Sequence, residues 1–341
     1  IRWSESRDKS TLERSEWRSR WPPGCLQKHG SVWQVPGTRR AVTDQLRQST
    51  GIPALDELLG GGLVPGTLTV VVGATGMGKT QLGIQYAHAG LEAEQATGVV
   101  FDMCARGDSQ SHSHYAERLF DWTLAPPGFQ VNDRTDLYNL AVPAGDYLHI
   151  FDQQGRRVTR QDLDWDQWHD WQAQLNRKLL SAITFLYGNL VRGCRRVVVD
   201  GVEPVGRPNE SVQLNLFEYV YHQVLRKDPE WVARDLFRQR YREHAEQAAG
   251  HVYDPGSVGC LMLYTSHETM LDELIKRPLD EGDTLSNANT VIYMGRVRQQ
   301  ERVGRGLYVA KHRGSRCSDR IVPFEIDDEG IQLTGGESQA S

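Results

Sequence analysis

One glycine-rich loop constrains the fold of this chain more than any other feature of its sequence. The loop matches the pattern G-x-x-x-x-G-K-[ST] in full and consists of Gly73, Ala74, Thr75, Gly76, Met77, Gly78, Lys79 and Thr80. A β-branched apolar run at 67–72 precedes the loop, and a helical pattern with Leu82 and Ile84 follows it. Because strand, loop and helix in this order form a phosphate-binding unit, the sequence predicts an α/β domain built around them.

The residue types in this loop suit a nucleotide with its magnesium ion. Glycines let successive backbone N–H groups curl around phosphate oxygens, and the helix N-terminus adds a favourable dipole. We expect Lys79 to reach the β- and γ-phosphate oxygens and Thr80 to bind Mg²⁺, and the nucleotide-binding set extends to Gln81. The alternative is a chance glycine loop with a surface lysine, which the flanking strand and helix disfavour. ATP and Mg²⁺ are the expected cofactors.

A second apolar run ends in a carboxylate and predicts the other half of the metal site. Residues 197–199 are three valines, and Asp200 follows them directly. In a parallel sheet the carboxyl ends of strands meet at one edge, so Asp200 can lie across from Thr80 and hold the Mg²⁺ shell. Many buried strands end in aspartate. The position after a long helical pattern makes Asp200 the leading metal-site acid.

Strand and helix patterns alternate along most of the chain. Helical spacing recurs at 52–59, 115–124, 165–191, 214–225 and 228–250. Strand patterns occur at 67–72, 98–103, 147–151, 195–200, 260–264, 290–294, 306–310 and 322–326. Strands and helices alternate in the first part of the chain, and hairpin-like strands follow at the end. This order predicts a mostly parallel central sheet with helices on both faces and an antiparallel C-terminal edge.

Composition narrows the class of protein. The 341 residues include 39 basic and 44 acidic side chains, a net charge of −5, so the whole-molecule field does not attract a phosphate backbone. No stretch approaches the length of apolar chain that a membrane span needs. The five cysteines are widely spaced and form no CxxC pair, which is typical of reduced intracellular thiols. We expect a cytoplasmic protein.

The segment that leads into the loop resembles a known family. Residues 49–66, running on into the glycine loop, closely resemble the opening of KaiC-like members of the RecA superfamily of P-loop ATPases. Further similarity follows in order at 98–103, 147–152, 195–200, 263–268, 311–315, 323–326 and 330–331. The resemblance covers roughly residues 48–333. It implies a RecA-like P-loop NTPase core.

The resemblance also divides the chain. We expect a basic, poorly ordered N-terminal extension at 1–47, a KaiC/RecA-like ATPase domain at 48–335 and a flexible tail at 336–341. Insertions into the domain are expected near 125–146 and 228–258. The charged part of the second insertion, with arginines interspersed among acids, predicts a solvated helix face.

The resemblance implies an assembly. Family members bind ATP between neighbouring subunits of a ring or filament, so a homo-oligomer, such as a hexameric ring, is expected, and a protein signalling partner is a further expectation. A Lys-x-Arg pair in such proteins reaches the γ-phosphate held by the next protomer, and the matching residues are Lys311 and Arg313. A guanidinium supplied by a neighbour can offset charge that develops during phosphoryl transfer. The alternative is a pair of solvated basic side chains beside a strand.

One departure from the family concerns the acid that activates water. KaiC-like proteins usually carry adjacent acidic residues after the second strand, where this chain has Cys104 and Ala105. Neither can serve as general base with comparable ease, so hydrolysis is expected to be slow or to depend on Asp102, Glu203 or Glu268.

Cys104 lies near two histidines in the sequence. Together with His112 and His114 it could form a metal cluster, but the spacing is irregular and the intervening loop is polar, which favours solvated histidines.

Three functions remain open at this stage. The first is a regulatory or signalling ATPase similar to KaiC-like proteins. The second is a DNA-dependent ATPase resembling RecA or RadA, which the net negative loop after Glu268 disfavours. The third is a nucleotide-binding scaffold that does not hydrolyse ATP. The sequence has one P-loop, so the tandem duplication and autophosphorylation known in the family are not assumed.

Overall fold

The computed structural model describes residues 27–29, 32–34, 47–104, 112–128, 137–151, 164–203, 212–276, 284–299, 302–314 and 318–334. The chain divides into two compact units, residues 1–45 and 46–341. In the first unit the described residues form an antiparallel pair of short strands, β1 (Gln27–His29) and β2 (Val32–Gln34). The second unit carries the glycine loop and the main sheet.

A nine-stranded sheet organises the second unit. Its strands are β3 (Leu68–Gly73), β4 (Val99–Asp102), β5 (Tyr147–His149), β6 (Arg196–Val202), β7 (Gly259–Thr265), β8 (Thr290–Gln299), β9 (Arg302–His312), β10 (Val322–Asp327) and β11 (Gly330–Leu333). They lie in the order β11-β10-β9-β8-β3-β7-β6-β4-β5. The six strands from β8 to β5 in this order are parallel, and β9, β10 and β11 add an antiparallel edge.

Helices connect the strands and cover the sheet. They are α1 (Pro53–Leu58), α2 (Lys79–His88), α3 (Gly90–Glu94), α4 (His112–Phe120), α5 (Trp165–Leu190), α6 (Val212–Val220), α7 (Pro229–Phe237), α8 (Tyr241–Gly250), α9 (Leu271–Lys276) and α10 (Thr284–Asn287). A single π-helical turn, Tyr221–Leu225, continues α6. Among the helices that the structure describes, none is both long and apolar enough to cross a bilayer.

The sheet is buried on both faces because apolar residues occupy both faces of its central strands. All six residues of β3 are buried. Val70 and Val72 belong to one core cluster with Phe185 of α5, whereas Val71 belongs to a second cluster with Leu82 of α2. Successive side chains of a strand point to opposite faces, so a continuous β-branched run of this kind fits a strand covered on both sides.

The predicted fold class is confirmed, and several elements differ in extent. The helix expected at 115–124 begins earlier, at His112, and β8 and β9 extend well beyond the short strands expected at 290–294 and 306–310. The charged segment at 228–250 exposes its arginines as expected, but it also has an apolar face. Val232, Leu236 and Phe237 of α7 are buried in the main core cluster, so this segment packs onto the core of the domain.

Candidate functional site

The glycine loop joins the carboxyl end of β3 to the first residue of α2. Gly76 and Gly78 have φ angles of +81° and +95°, a left-handed conformation that residues with a Cβ atom rarely adopt. A Cβ atom at Gly73 would collide with the carbonyl oxygen of Met294 on β8. The backbone conformation of the loop therefore requires all three of these glycines. A loop of this shape can wrap around an anion.

Lys79 is a buried cation inside this loop. Its side chain is 6% exposed, and its Nζ donates to the carbonyl oxygens of Gly73 at 2.8 Å and Ala74 at 3.0 Å. Burial is the largest influence on the pKa of Lys79 and lowers it, although nearby acidic groups, chiefly Asp200, oppose the shift. Because neutral carbonyls hold the ammonium, the site suits an incoming anion such as a phosphate chain.

Asp200 and Thr80 meet as the sequence predicts. Thr80 Oγ1 donates to Asp200 Oδ2 at 2.7 Å, and the backbone N–H of Gly201 donates to Asp200 Oδ1 at 2.6 Å. A hydroxyl and a carboxylate oxygen are ligands that Mg²⁺ prefers, so these residues fit that ion. In the described part of the chain, no group of three or more His, Cys, Asp or Glu side chains could hold a metal.

His112 lies between two carboxylates at this edge of the sheet. Its Nε2 is 3.0 Å from Asp200 Oδ2, and its Nδ1 is 3.4 Å from Asp102 Oδ2. The expectation of a solvated histidine was wrong for His112, which is 4% exposed, whereas His114 is exposed. The polar sequence around His112 did not reveal that α4 begins at His112 and places its side chain over the carboxyl ends of β4 and β6.

His112 and Asp200 stabilise each other in their charged forms. Burial is the largest influence on the pKa of His112 and lowers it, but the hydrogen bond and charge of Asp200, with the charge of Asp102, outweigh burial and leave the pKa raised. Burial likewise acts to raise the pKa of Asp200, but contacts with His112 and Thr80 outweigh it and leave the pKa lowered. Asp200 is therefore held in its ionised form, which a magnesium site requires.

Asp102 is placed behind the phosphate site. Its side chain is 2% exposed, its Oδ2 accepts a hydrogen bond from the Tyr147 hydroxyl at 2.6 Å, and its Oδ1 accepts one from the Cys104 N–H at 2.8 Å. Burial raises the pKa of Tyr147, and the charge of Asp102 raises it further, so the phenol remains a donor. Asp102 pairs in register with Asp200 on the neighbouring strand, and His112 lies between their two carboxylates.

A cavity of about 520 Å³ opens over the loop. It is lined by Thr75, Gly76, Gly78, Lys79, Thr80, Gln81, Cys104, His112, Tyr115, Asp200, Gly201, Glu203, Thr265, Arg305 and Ile326. Six of these residues were not assigned to the site from the sequence, namely His112, Tyr115, Gly201, Thr265, Arg305 and Ile326. Arg305 belongs to the hairpin of β8 and β9, where no motif marks it. Met77, which we also assigned to the loop, is buried in the core below it.

Glu268 follows β7 at the same edge of the sheet. Its carboxylate accepts a hydrogen bond from the Ser266 hydroxyl, and its backbone N–H donates to the same hydroxyl at 3.2 Å. Glu268 is half-buried and does not line the cavity, whereas Glu203 does. Ala105, the other residue at the position of the expected acidic pair, lies outside the described residues.

Lys311 and Arg313 lie at the opposite end of the sheet. Gly73 pairs with Met294 where the glycine loop begins, whereas Lys311 pairs with Val291, near the start of β3 and β8. The backbone N–H of Arg313 donates to the Asn289 carbonyl, and Asn289 donates to Leu68. The five residue steps from Leu68 to Gly73 span about 16 Å of strand, which exceeds the reach of an arginine side chain. Lys311 Nζ donates to the Ser286 carbonyl at 2.6 Å.

Comparisons with known proteins agree with this geometry. Residues 48–120 match the profile of the family described as ATPase: KaiC. The DNA repair protein RadA of Mycobacterium tuberculosis, in strains CDC 1551 / Oshkosh and ATCC 25618 / H37Rv, is 51% identical to this chain over 39 residues. That stretch covers 11% of this chain and 8% of each RadA protein. By these matches and by its fold, the chain is similar to KaiC-like P-loop ATPases of the RecA superfamily, and the predicted resemblance is confirmed.

Proposed function

We propose that this chain is a KaiC-like ATPase that binds Mg²⁺ and ATP, hydrolyses ATP slowly at the interfaces of an oligomer, and acts in regulation or signalling in the cytoplasm. The observation that supports it most strongly is the hydrogen bond of 2.7 Å between Thr80 and Asp200 at the N-terminus of α2. It joins the hydroxyl of the glycine loop to the acid of β6, the two ligands that a P-loop site needs for its metal.

The described residues suggest how the nucleotide would be held. Lys79 would exchange its two carbonyl partners for phosphate oxygens, which neutralises its buried charge. Thr80 and Asp200 would hold Mg²⁺, which neutralises phosphate charge when bound. Cavity-lining loop residues from Thr75 to Gln81 would surround the phosphates.

Slow hydrolysis follows from the residues that face the attacking water. Cys104 lines the cavity where the family places an acid, and a thiol is a poorer general base for water than a carboxylate. Asp102 is buried behind His112 and Glu268 is bonded to Ser266, whereas Glu203 lines the cavity. We therefore favour Glu203 as the group that orients water.

The opposite placement of Lys311 and Arg313 favours sites shared between subunits. These two side chains cannot reach the P-loop of their own subunit across the length of β3, but a head-to-tail neighbour could present them to it. We propose a homo-oligomer, a hexameric ring or a filament, in which each ATP lies between two copies.

Two other functions have specific support. The short match to proteins named DNA repair protein RadA favours a DNA-dependent ATPase. Cys104 in the cavity favours a nucleotide-binding scaffold that does not hydrolyse ATP.

Two measurements together distinguish the three functions. They are ATP turnover with and without single-stranded DNA, and native mass spectrometry with Mg-ATP. The proposed ATPase gives slow, DNA-independent turnover by an oligomer. Strong stimulation by DNA would favour the repair function, and tight binding without turnover would favour the scaffold.

A further inference from the structure

A continuous chain of polar contacts runs behind the metal ligands. The Tyr147 hydroxyl donates to Asp102 Oδ2 at 2.6 Å, and Asp102 Oδ2 lies 3.4 Å from His112 Nδ1. His112 Nε2 lies 3.0 Å from Asp200 Oδ2, the oxygen that also accepts from Thr80. The side chains of Asp102, His112 and Asp200 are each less than one-tenth exposed, although His112 and Asp200 also line the cavity.

The orientation of the imidazole is determined on both sides. An ionised carboxylate can only accept hydrogen bonds, so the imidazole nitrogen that faces Asp200 must carry a proton. Asp102 Oδ2 faces the opposite nitrogen at 3.4 Å, and the Tyr147 ring lies 5.5 Å from the His112 ring, centroid to centroid. His112 is thereby prevented from turning away from Asp200.

We propose that His112 is a positioning residue that holds the Asp200 carboxylate in the orientation required by Mg²⁺ and nucleotide, with Asp102 and Tyr147 as its supports. This inference rests on the proposed Mg-ATP site and assigns His112 a role in that site. Residues that orient a metal ligand from behind commonly change metal affinity by about 10–100-fold when they are removed.

The hydrogen bonds of Asp200 support this assignment. A carboxylate offers about four acceptor positions. Gly201 and Thr80 use two of them, and His112 uses a third. Among the residues that the structure describes, no other group bonds to the fourth position, so it can accept from the hydration shell of a metal, and the three bonds orient the carboxylate. Loss of His112 would allow Asp200 to rotate and would leave two buried carboxylates facing each other.

The test measures the metal-dependent part of nucleotide binding. A fluorescent N-methylanthraniloyl ATP is titrated into the full chain in EDTA and in Mg²⁺. The Kd in EDTA divided by the Kd in Mg²⁺ is the ratio that is compared between variants. His112→Ala should reduce this ratio about tenfold or more, while the Kd in EDTA stays within about twofold of the parent value. His114→Ala, an exposed histidine on the same helix, is the matched control and should leave both Kd values unchanged.

Two further variants separate positioning from packing. His112→Gln keeps a side-chain N–H donor and should retain most of the ratio, whereas an equal loss in His112→Gln and His112→Ala would overturn the proposal. Tyr147→Phe removes only the hydroxyl bonded to Asp102 and should reduce the ratio in the same direction by about threefold, a fraction of the loss expected for His112. If His112→Ala does not fold, an unchanged ratio in Tyr147→Phe overturns the proposal.

The outcome also distinguishes this inference from the proposed function. A parent protein whose ATP affinity is the same in EDTA and in Mg²⁺ would contradict the Mg-ATP site itself, and the role of His112 with it. A parent protein with a large ratio that His112→Ala leaves unchanged would overturn only the role of His112.

Discussion

Replacement of Arg313 by alanine should abolish ATP turnover while the same subunit still binds ATP. The reason is the position of Arg313 at the end of the sheet away from the glycine loop, where its backbone bonds to Asn289 beside the first residue of β3. A group separated by about 16 Å of strand from its own loop can act on the phosphates of a neighbour only.

The expected size of the effect follows from the role of the arginine. Where an arginine supplied by a neighbour has been removed, turnover falls by about 10³ to 10⁵-fold. Arg313 is exposed, and the side-chain contact that the structure gives it is a long one, 3.4 Å from Nη2 to the Ser286 carbonyl. Its loss should therefore leave the fold intact, and the thermal unfolding midpoint should stay close to that of the parent protein.

A mixing experiment then tests whether the site is shared. Lys79→Ala subunits keep Arg313 but lack the phosphate-binding lysine, and Arg313→Ala subunits have the reverse defect. In a randomly exchanged equal mixture, about one quarter of the interfaces combine an intact loop with an intact Arg313, so turnover should recover to about a quarter of the parent value. Subunit exchange is confirmed first by native mass spectrometry of isotopically labelled subunits.

Two results with single proteins, and one with the mixture, would refute this reasoning. One is an Arg313→Ala protein that hydrolyses ATP at the parent rate. The other is a parent protein that remains a monomer at saturating Mg-ATP and turns over fully. A mixture that exchanges subunits but stays inactive would also contradict a shared site, provided that the parent protein has measurable turnover.

Three further predictions concern single residues. Lys79→Ala should fold and lose most of its affinity for Mg-ATP, because the buried ammonium that contacts the loop carbonyls is gone; unchanged affinity by isothermal titration calorimetry would contradict this. Asp200→Asn should weaken ATP binding in Mg²⁺ more than in EDTA, because only the metal-bound state uses the carboxylate charge, and equal losses would indicate a structural role. Glu94→Gln should lower the free energy of unfolding by about 3 kcal/mol in urea denaturation, because it leaves the fully buried Arg196 without its carboxylate; a change below about 1 kcal/mol would contradict this.

The glycine loop and the position of Asp200 beside it could be predicted because their signals are local. Residues 73–80 specify strand, turn and helix within a short stretch, and the run of valines before Asp200 specifies a buried strand. Because the carboxyl ends of parallel strands lie at one edge of a sheet, Asp200 and Thr80 are predicted to lie at the same edge, although they are distant in sequence. The structure places them in hydrogen-bonding contact.

His112 and Arg305 could not be predicted in the same way. Each enters the cavity because of tertiary packing: His112 through the start of α4, and Arg305 through a hairpin whose strands are longer than the apolar pattern indicated. Neither belongs to a motif with fixed spacing from the loop. The apolar face of α7 was missed for a related reason, since charged residues dominate that segment and hide the few positions that pack.

The pairing of β3 has a consequence for how the protein is made. Both neighbours of β3 in the sheet, β7 and β8, come from residues 259–299, far beyond β3 in the sequence. During synthesis the strand that carries the glycine loop therefore emerges before both of its partners, and its two hydrogen-bonding edges stay unpaired until residues 259–299 have left the ribosome. A nascent chain truncated before Gly259 should be unable to bind nucleotide and should depend on chaperones to stay dispersed.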